Sequence, residues 1–215
     1  MRVETIFGVF DVTEEGKLKK FYAKAGITEI SVPRFVHEIG NGAFLHCKAL
    51  KKIVIPDSVR VIGTEAFSYC YNLESLLLPD SVTDIKERAF LHCTALKEVI
   101  IPHSIVEIKE CTFWSCNGLT NVVIPNSVKK ICDFVFYNCT SLKDVEISNH
   151  ITEIGQSAFA YCKRLKKITI PDSVKKIGCC AFYHCAELTD IKIPDFSIEI
   201  GEYAFYGCTA MNTQV

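Results

Sequence analysis

The 215-residue sequence lacks several features that would assign it directly to a functional class. It has no excess of one charge, because 24 lysine and arginine residues are balanced by 25 aspartate and glutamate residues. Without a global basic field, we expect no nucleic-acid partner and no anionic membrane surface. No uncharged apolar run approaches the roughly 18 to 20 residues of a membrane helix, so we expect no membrane insertion. The first 16 residues, MRVETIFGVFDVTEEG, also lack the continuous apolar centre of a signal peptide.

The sequence also lacks the common catalytic and cofactor motifs. GxSxG, GxGxxG, GxxxxGK and HExxH are all missing. We therefore predict that the protein is not an enzyme, that it has no catalytic residue, and that it binds no cofactor or metal ion.

What the sequence has instead is a repeat of 23 residues, which can be written LxxIxIPxSVxxIGxxAFxxC. Phenylalanine recurs over seven steps without an insertion or deletion, at Phe44, Phe67, Phe90, Phe113, Phe136, Phe159, Phe182 and Phe205. Proline marks the same unit at Pro33, Pro56, Pro79, Pro102, Pro125, Pro171 and Pro194, with Ser148 in the remaining unit. A fixed period of this length is typical of stacked repeat proteins.

Each repeat contains two kinds of pattern. The segment before proline, such as LKKIVI, alternates apolar and polar residues, which predicts a strand with one buried face that ends at the proline. The segment SVxxIGxxAFxxC spaces its apolar residues three or four apart, which favours a turn and a short helical or 3₁₀ return. We predict an α/β repeat solenoid, a right-handed coil of about eight turns with one parallel sheet and a buried phenylalanine spine.

This unit resembles that of the BspA-type leucine-rich repeat proteins over about residues 26 to 211. Residues 1–30 then form a hairpin-like cap and partial repeat, with Gly16 at the turn and Leu18 and Phe21 facing inward, and residues 31–215 form the solenoid. Some units depart from the pattern: Lys86, Lys109 and Cys132 replace the glycine, and DFSIEIG at 195–201 shifts the SV pair. No comparable cap follows Met211, so we expect that the chain continues or that an exposed edge permits end-to-end self-association.

Twelve cysteines are present, and eight of them occupy one repeat position: Cys47, Cys70, Cys93, Cys116, Cys139, Cys162, Cys185 and Cys208. Stacking would bring their Cα atoms to roughly 5 Å, within disulfide range, but parallel side chains seldom give the required dihedral angle. We therefore predict free buried thiols, with Cys180 of the Cys179–Cys180 pair near the surface. The histidines beside the cysteines at 46, 92 and 184 do not predict a zinc site. His46 and His92 should lie roughly 10 Å apart, and the neighbouring cysteines should point into the core.

The candidate binding surface is the outward face of the sheet. The central outward position of successive strands reads Ser31, Val54, Leu77, Ile100, Val123, Glu146, Thr169 and Lys192. Four apolar residues in a row favour an interaction site, although β-branched residues also simply favour strands. Polar neighbours form a rim, with Lys52, Ser75, Glu98 and Asn121 on one side and Asp57, Asp80, His103 and Asn126 on the other.

A second candidate is a set of aromatic residues on the return segments: Tyr69, Trp114, Tyr137, Tyr161, Tyr183 and Tyr206. These rings are more simply interpreted as a cover over the spine. The leading hypothesis is a non-enzymatic module that binds a protein through the sheet face. The family resemblance implies a cell-surface or secreted adhesion protein whose partner is a host or matrix protein. A structural spacer or stalk, or a cytoplasmic scaffold, is the alternative.

Overall fold

The chain begins with three antiparallel strands, β1 (Arg2–Glu4), β2 (Gly8–Val12) and β3 (Lys17–Ala23), in the computed structural model, which describes residues 1–193 and 198–211. The predicted turn at Gly16 is confirmed, with a φ of 78°. Leu18 and Phe21 are buried as expected. β1 extends the hairpin by one strand and was not predicted from the sequence.

The predicted parallel sheet is confirmed. The segment before each proline position is a three-residue strand, and strands 23 residues apart pair in register, so that Val54 lies between Ser31 and Leu77. The first seven strands bury their central side chain and expose the two beside it. Pro194 and residues 195–197 of the DFSIEIG segment lie outside the described residues. The sheet contains β4 (Glu29–Ser31), β6 (Lys52–Val54), β8 (Ser75–Leu77), β10 (Glu98–Ile100), β12 (Asn121–Val123), β14 (Asp144–Glu146), β16 (Lys167–Thr169) and β18 (Asp190–Lys192).

A second parallel ladder, which the sequence did not indicate, runs along the other side of the solenoid. It is built from two-residue strands: β5 (Glu38–Ile39), β7 (Val61–Ile62), β9 (Asp84–Ile85), β11 (Glu107–Ile108), β13 (Lys130–Ile131), β15 (Glu153–Ile154), β17 (Lys176–Ile177) and β19 (Glu199–Ile200). β3 pairs with β5, so the hairpin is continuous with this ladder. The ladder is divided into two sheets, one ending at β9 and the other beginning at β11.

The division of the second ladder coincides with the lysines that replace glycine. At this position the preceding coil is very close: a Cβ on Gly63 would lie 2.7 Å from the Gly40 carbonyl carbon, and a Cβ on Gly155 would lie 2.5 Å from that of Cys132. Lys86 and Lys109 occupy this position in the two coils that β9 and β11 belong to. Lys86 and Cys132 also carry side chains here, yet β9 pairs with β7 and β13 pairs with β11, so a side chain at this position does not by itself account for the lost pairing between β9 and β11.

The predicted helical return segments are wrong, because the described residues contain no helix. The positions two before and two after each phenylalanine have positive φ, and the 14 of them that are not glycine lie between 52° and 62°. Left-handed residues at this interval interrupt a right-handed helix and produce consecutive turns instead. Along each return segment, backbone N–H groups donate alternately to a carbonyl of the same coil and to a carbonyl of the next coil. Ser68 N–H donates to the Glu65 carbonyl in its own coil (3.1 Å), and Phe67 N–H donates to the Ala89 carbonyl in the next coil (2.8 Å).

The core is a stack of phenylalanine rings. Successive rings of the repeat lie 4.9 to 5.5 Å apart and nearly parallel, from Phe44 to Phe205. Phe21 and Phe10 continue the stack into the hairpin, with ring distances of 5.5 Å and 4.6 Å. The predicted buried spine is therefore confirmed, and it runs through both the cap and the coils.

Two polar side chains of the repeat also join neighbouring coils. The cysteine thiol donates to the carbonyl of the phenylalanine in the preceding coil, at 3.2 Å for Cys70 to Phe44 and in each later unit. In several coils the serine of the SV pair donates to a backbone carbonyl of the preceding coil, as Ser58 does to Val36 at 2.7 Å and Ser173 does to Ile151 at 2.6 Å, whereas the buried Ser127 hydroxyl has no partner among the described residues. The cysteine is therefore more than a small apolar side chain, because it also supplies a buried hydrogen-bond donor.

Candidate interaction surface

The four apolar residues predicted to face outward do so, and we call Val54, Leu77, Ile100 and Val123 the apolar stripe. Their exposed fractions are 50%, 71%, 65% and 57%. Each is the last residue of a three-residue strand whose central side chain is buried, so the alternation of the strand places it on the outside. In-register pairing then aligns the four in one row along the solenoid.

Most of the predicted site residues meet in one shallow depression of about 350 Å³ centred on Leu77. Lys52, Val54, Glu98 and Ile100 line it together with Leu77. Asn121 and Val123 lie further along the same sheet, and Val123 borders a separate depression of about 330 Å³ beside His103 and Asn126. The structure therefore brings five of the seven predicted residues together and places the other two beside them.

The rim of the stripe carries unpaired acidic charge. Asp57, Asp80 and Glu98 are exposed, and none of them forms an ion pair within the part of the chain that the structure describes. Glu74, by contrast, lies 3.8 Å from Lys97. Lys52 on the same rim is also exposed and forms no ion pair in the described chain, but the three carboxylates outnumber it, and the negative potential that they leave beside the apolar row favours a partner of the opposite charge.

The N-terminal hairpin forms one wall of a larger cleft that was not predicted from the sequence. The cleft measures about 880 Å³ and lies between the loop carrying Thr5 and Phe7 and the corners of the first two coils, including Arg34. It shares Val54 and Asp57 with the depression around Leu77, so the two are continuous. No sequence signal identified this wall, because it depends on how the loop between β1 and β2 lies against the coils.

The aromatic residues of the return segments pack mainly against one another. Trp114 and Tyr137 have ring centroids 4.6 Å apart, and Tyr183 and Tyr206 are stacked at 5.4 Å. Burial raises the pKa of the Tyr137 hydroxyl. This mutual stacking supports the interpretation that the rings cover the phenylalanine spine more than the interpretation that they form a second binding site. The Tyr206 residue is nevertheless 57% exposed.

The histidine and cysteine residues do not form a metal site in the described chain. The Tyr69 ring lies between those of His46 and His92, at 4.8 and 5.0 Å, and so separates the two imidazoles. No group of three or more histidine, cysteine, aspartate or glutamate side chains within residues 1–193 and 198–211 is placed to hold a metal ion.

The cysteines are free thiols, and most of them are buried. Burial raises the pKa of Cys116 and of Cys162 to about 12, so both are neutral at physiological pH. Cys179 is exposed and Cys180 is half-buried, whereas the sequence had indicated Cys180 as the residue near the surface. Because the described residues contain no helix, they include no candidate membrane-spanning helix.

Comparisons with known proteins agree with this architecture. The chain is similar to a leucine-rich repeat protein from Bacteroides ovatus, with 32% identity and a TM-score of 0.72 over 98% of this chain, and it spans 60% of that protein. It is similar to the T. pallidum leucine-rich repeat protein TpLRR, with 25% identity and a TM-score of 0.75 over 99% of this chain and 92% of that one. It also resembles the pneumococcal vaccine antigen PcpA, with 26% identity and a TM-score of 0.60 over 86% of this chain and 49% of that one.

Among curated proteins, no sequence matches the chain. The model of the BspA type leucine-rich repeat region, however, matches in six copies over residues 17–143 and 129–214. Proteins of this family and fold are typically non-catalytic repeat proteins. The 23-residue repeat and the phenylalanine spine agree with this match to the family model, and the chain belongs to the BspA type leucine-rich repeat family.

Proposed function

We propose that this protein is a non-enzymatic binding module that holds another protein on the outer face of its larger sheet. The observation that carries this proposal is the apolar stripe, whose four side chains are at least half exposed in consecutive coils. A contiguous apolar row of this kind is costly to leave in water, and it is a common mark of an interaction site. The polar rim around it resembles the arrangement of a protein interface.

The test is a double variant, Leu77→Lys with Ile100→Lys, compared with Val106→Lys. Val106 is 55% exposed but lies just before β11 on the other ladder, so it matches the chemistry of the change without touching the stripe. Immobilised protein is incubated with extracts of the source cells and of host tissue, and the captured proteins are quantified by mass spectrometry. A true partner is retained by the wild type and by Val106→Lys and is lost by the double variant.

Stability is measured on the same proteins. Because both substituted side chains are exposed, we expect the free energy of unfolding to change by no more than about 0.5 kcal/mol per site. Equal capture by the double variant would reject the stripe as the binding surface and favour the spacer or stalk.

We also propose that the protein acts at the cell surface or outside the cell, in adhesion to a host or matrix protein. Membership of the BspA type family and the likeness to a pneumococcal vaccine antigen support this placement. Protease treatment of intact source cells, followed by mass spectrometry of peptides from residues 50–130, tests it. Release from unbroken cells is expected, whereas recovery only after lysis would reject surface placement and indicate an intracellular scaffold.

A further inference from the structure

We infer that the element bound on the apolar stripe is an amphipathic helix with basic flanks, lying along the solenoid axis across the strands. This inference rests on the proposed function and goes further, because it specifies the secondary structure and charge of the partner. Three observations carry it: the spacing of the stripe, its acidic rim, and the cleft that continues it.

The spacing of the stripe matches one apolar side chain per helical turn. Neighbouring strands lie about 4.8 Å apart, so Val54 and Val123 are separated by about 14 Å over three steps. Three turns of a helix advance about 16 Å. Same-face side chains of an extended strand would advance about 20 Å over three steps. A helix can therefore place one apolar residue near each row of the stripe, whereas an extended segment loses register after one or two rows.

The exposed carboxylates of the rim favour a helix with basic side chains. Asp57 and Asp80 lie beyond the strand ends on one side of Leu77, and Glu98 lies on the other side. All three are exposed and form no ion pair in the described chain, while Lys52 is the basic side chain that lines the same depression. Lysine or arginine on both flanks of a bound helix would reach these carboxylates.

The cleft at the hairpin gives the helix room to continue. It joins the depression at Val54 and Asp57 and is closed on its far side by the loop carrying Thr5 and Phe7. Arg34 lines this end, where it can interact with the carbonyl groups or a carboxylate at a helix terminus. The hairpin therefore acts as an end wall for a segment that lies along the stripe.

Three synthetic peptides of about 14 residues, or roughly four turns, test this inference by fluorescence anisotropy. The first carries one leucine per turn with lysine on both flanks. The second replaces every lysine by glutamate, and the third keeps the lysines but carries two central prolines that break the helix. We expect the lysine peptide to bind at least about tenfold more tightly than either of the others, an effect the size of a few exposed ion pairs.

Variants of the protein locate the interaction. Asp57→Asn, Asp80→Asn and Glu98→Gln combined should weaken the lysine peptide about tenfold and reduce the dependence of its affinity on salt. The matched control is Asp172→Asn, which changes an exposed aspartate at the position of Asp57 in a coil beyond the stripe and should leave binding unchanged.

Several results would overturn the inference. These are equal affinity of the lysine and glutamate peptides, equal affinity of the proline peptide, no binding of the lysine peptide, or no effect of the triple variant. If any of these occurs while Leu77→Lys with Ile100→Lys still loses its natural partner, the proposed binding function stands and only the helical, basic partner is rejected. If the double variant keeps its partner, the proposed function itself fails.

Discussion

Raising the pH from 7 to 10 should destabilise the folded protein through its buried thiols. The folded pKa of Cys116 and of Cys162 is about 12, because burial disfavours the thiolate, whereas the pKa of an unfolded thiol is about 8.5. A group whose folded pKa is raised contributes stability that is fully present below the unfolded pKa and is lost as the pH rises towards the folded pKa. The loss should therefore occur between about pH 8.5 and pH 12.

The magnitude follows from the two pKa values. At pH 10 an unfolded thiol lies about 1.5 pH units above its pKa, so its ionisation favours the unfolded state by about 2 kcal/mol, and the two thiols together contribute about 4 kcal/mol. Cys70, Cys93 and Cys139 shift in the same direction for the same reason, so the whole protein should lose more than this.

The assay is guanidinium unfolding at pH 7 and pH 10 in the presence of a reductant, followed by circular dichroism and by the fluorescence of Trp114, the single tryptophan. The wild type is compared with a double variant that combines Cys116→Ala and Cys162→Ala, and with the single variant Cys162→Ala. The stability gap between the wild type and the double variant should change by about 4 kcal/mol in favour of the variant as the pH rises, and by about 2 kcal/mol for Cys162→Ala alone. Lysine titration is common to all three proteins and cancels. A gap that is the same at both pH values would refute the assignment of alkaline sensitivity to buried thiols.

Three further predictions concern the core, the thiols and the turns. Phe113→Ala should lower the free energy of unfolding by about 3 to 5 kcal/mol in urea titrations, because the ring is fully buried between two others; a loss below 1 kcal/mol would contradict the spine. In the native protein at pH 8, iodoacetamide should modify Cys179 first, and mass spectrometry should find Cys116 modified only after denaturation. Asn138→Val should be less stable than Asn138→Gly by about 1 to 3 kcal/mol because φ is 58°, since both variants lose the hydrogen bond from the Asn138 amide to Ser115, and equal thermal stability of the two would reject the turn geometry.

The fold could be predicted from the sequence because the period is strict. Phe44, Phe67 and Phe90 can stack only if each 23-residue unit makes one complete coil, and the alternation in LKKIVI determines which side of the strand faces water. The outward position of Leu77 followed from the same alternation. The depression around it and the hairpin wall did not, because both depend on how distant segments lie against one another.

The return segments could not be predicted as turns from hydrophobic spacing alone. An apolar residue every third or fourth position fits a helix, and it equally fits consecutive turns with left-handed residues between them. One usable signal was present: none of the residues at the two left-handed columns, such as Tyr69, Ser115 and Asn138, is β-branched. β-branched residues are strongly disfavoured at positive φ, so their absence from a repeat position is informative. The thiol donation by Cys70 had no such signal, because a small apolar side chain would have produced the same pattern.

Because each coil offers its neighbour nearly the same set of donors, acceptors and ring surfaces, the evolutionary unit of change in this chain is a whole coil. Phe90 N–H donates to Thr112 of the next coil just as Phe67 N–H donates to Ala89, at 3.0 and 2.8 Å. Loss or duplication of 23 residues would therefore rejoin equivalent surfaces and would shorten or lengthen the apolar stripe by one row. Insertion of a single residue would misalign every bond at two coil boundaries. Selection can consequently vary the length of the apolar stripe in discrete steps while the length of the coil stays fixed.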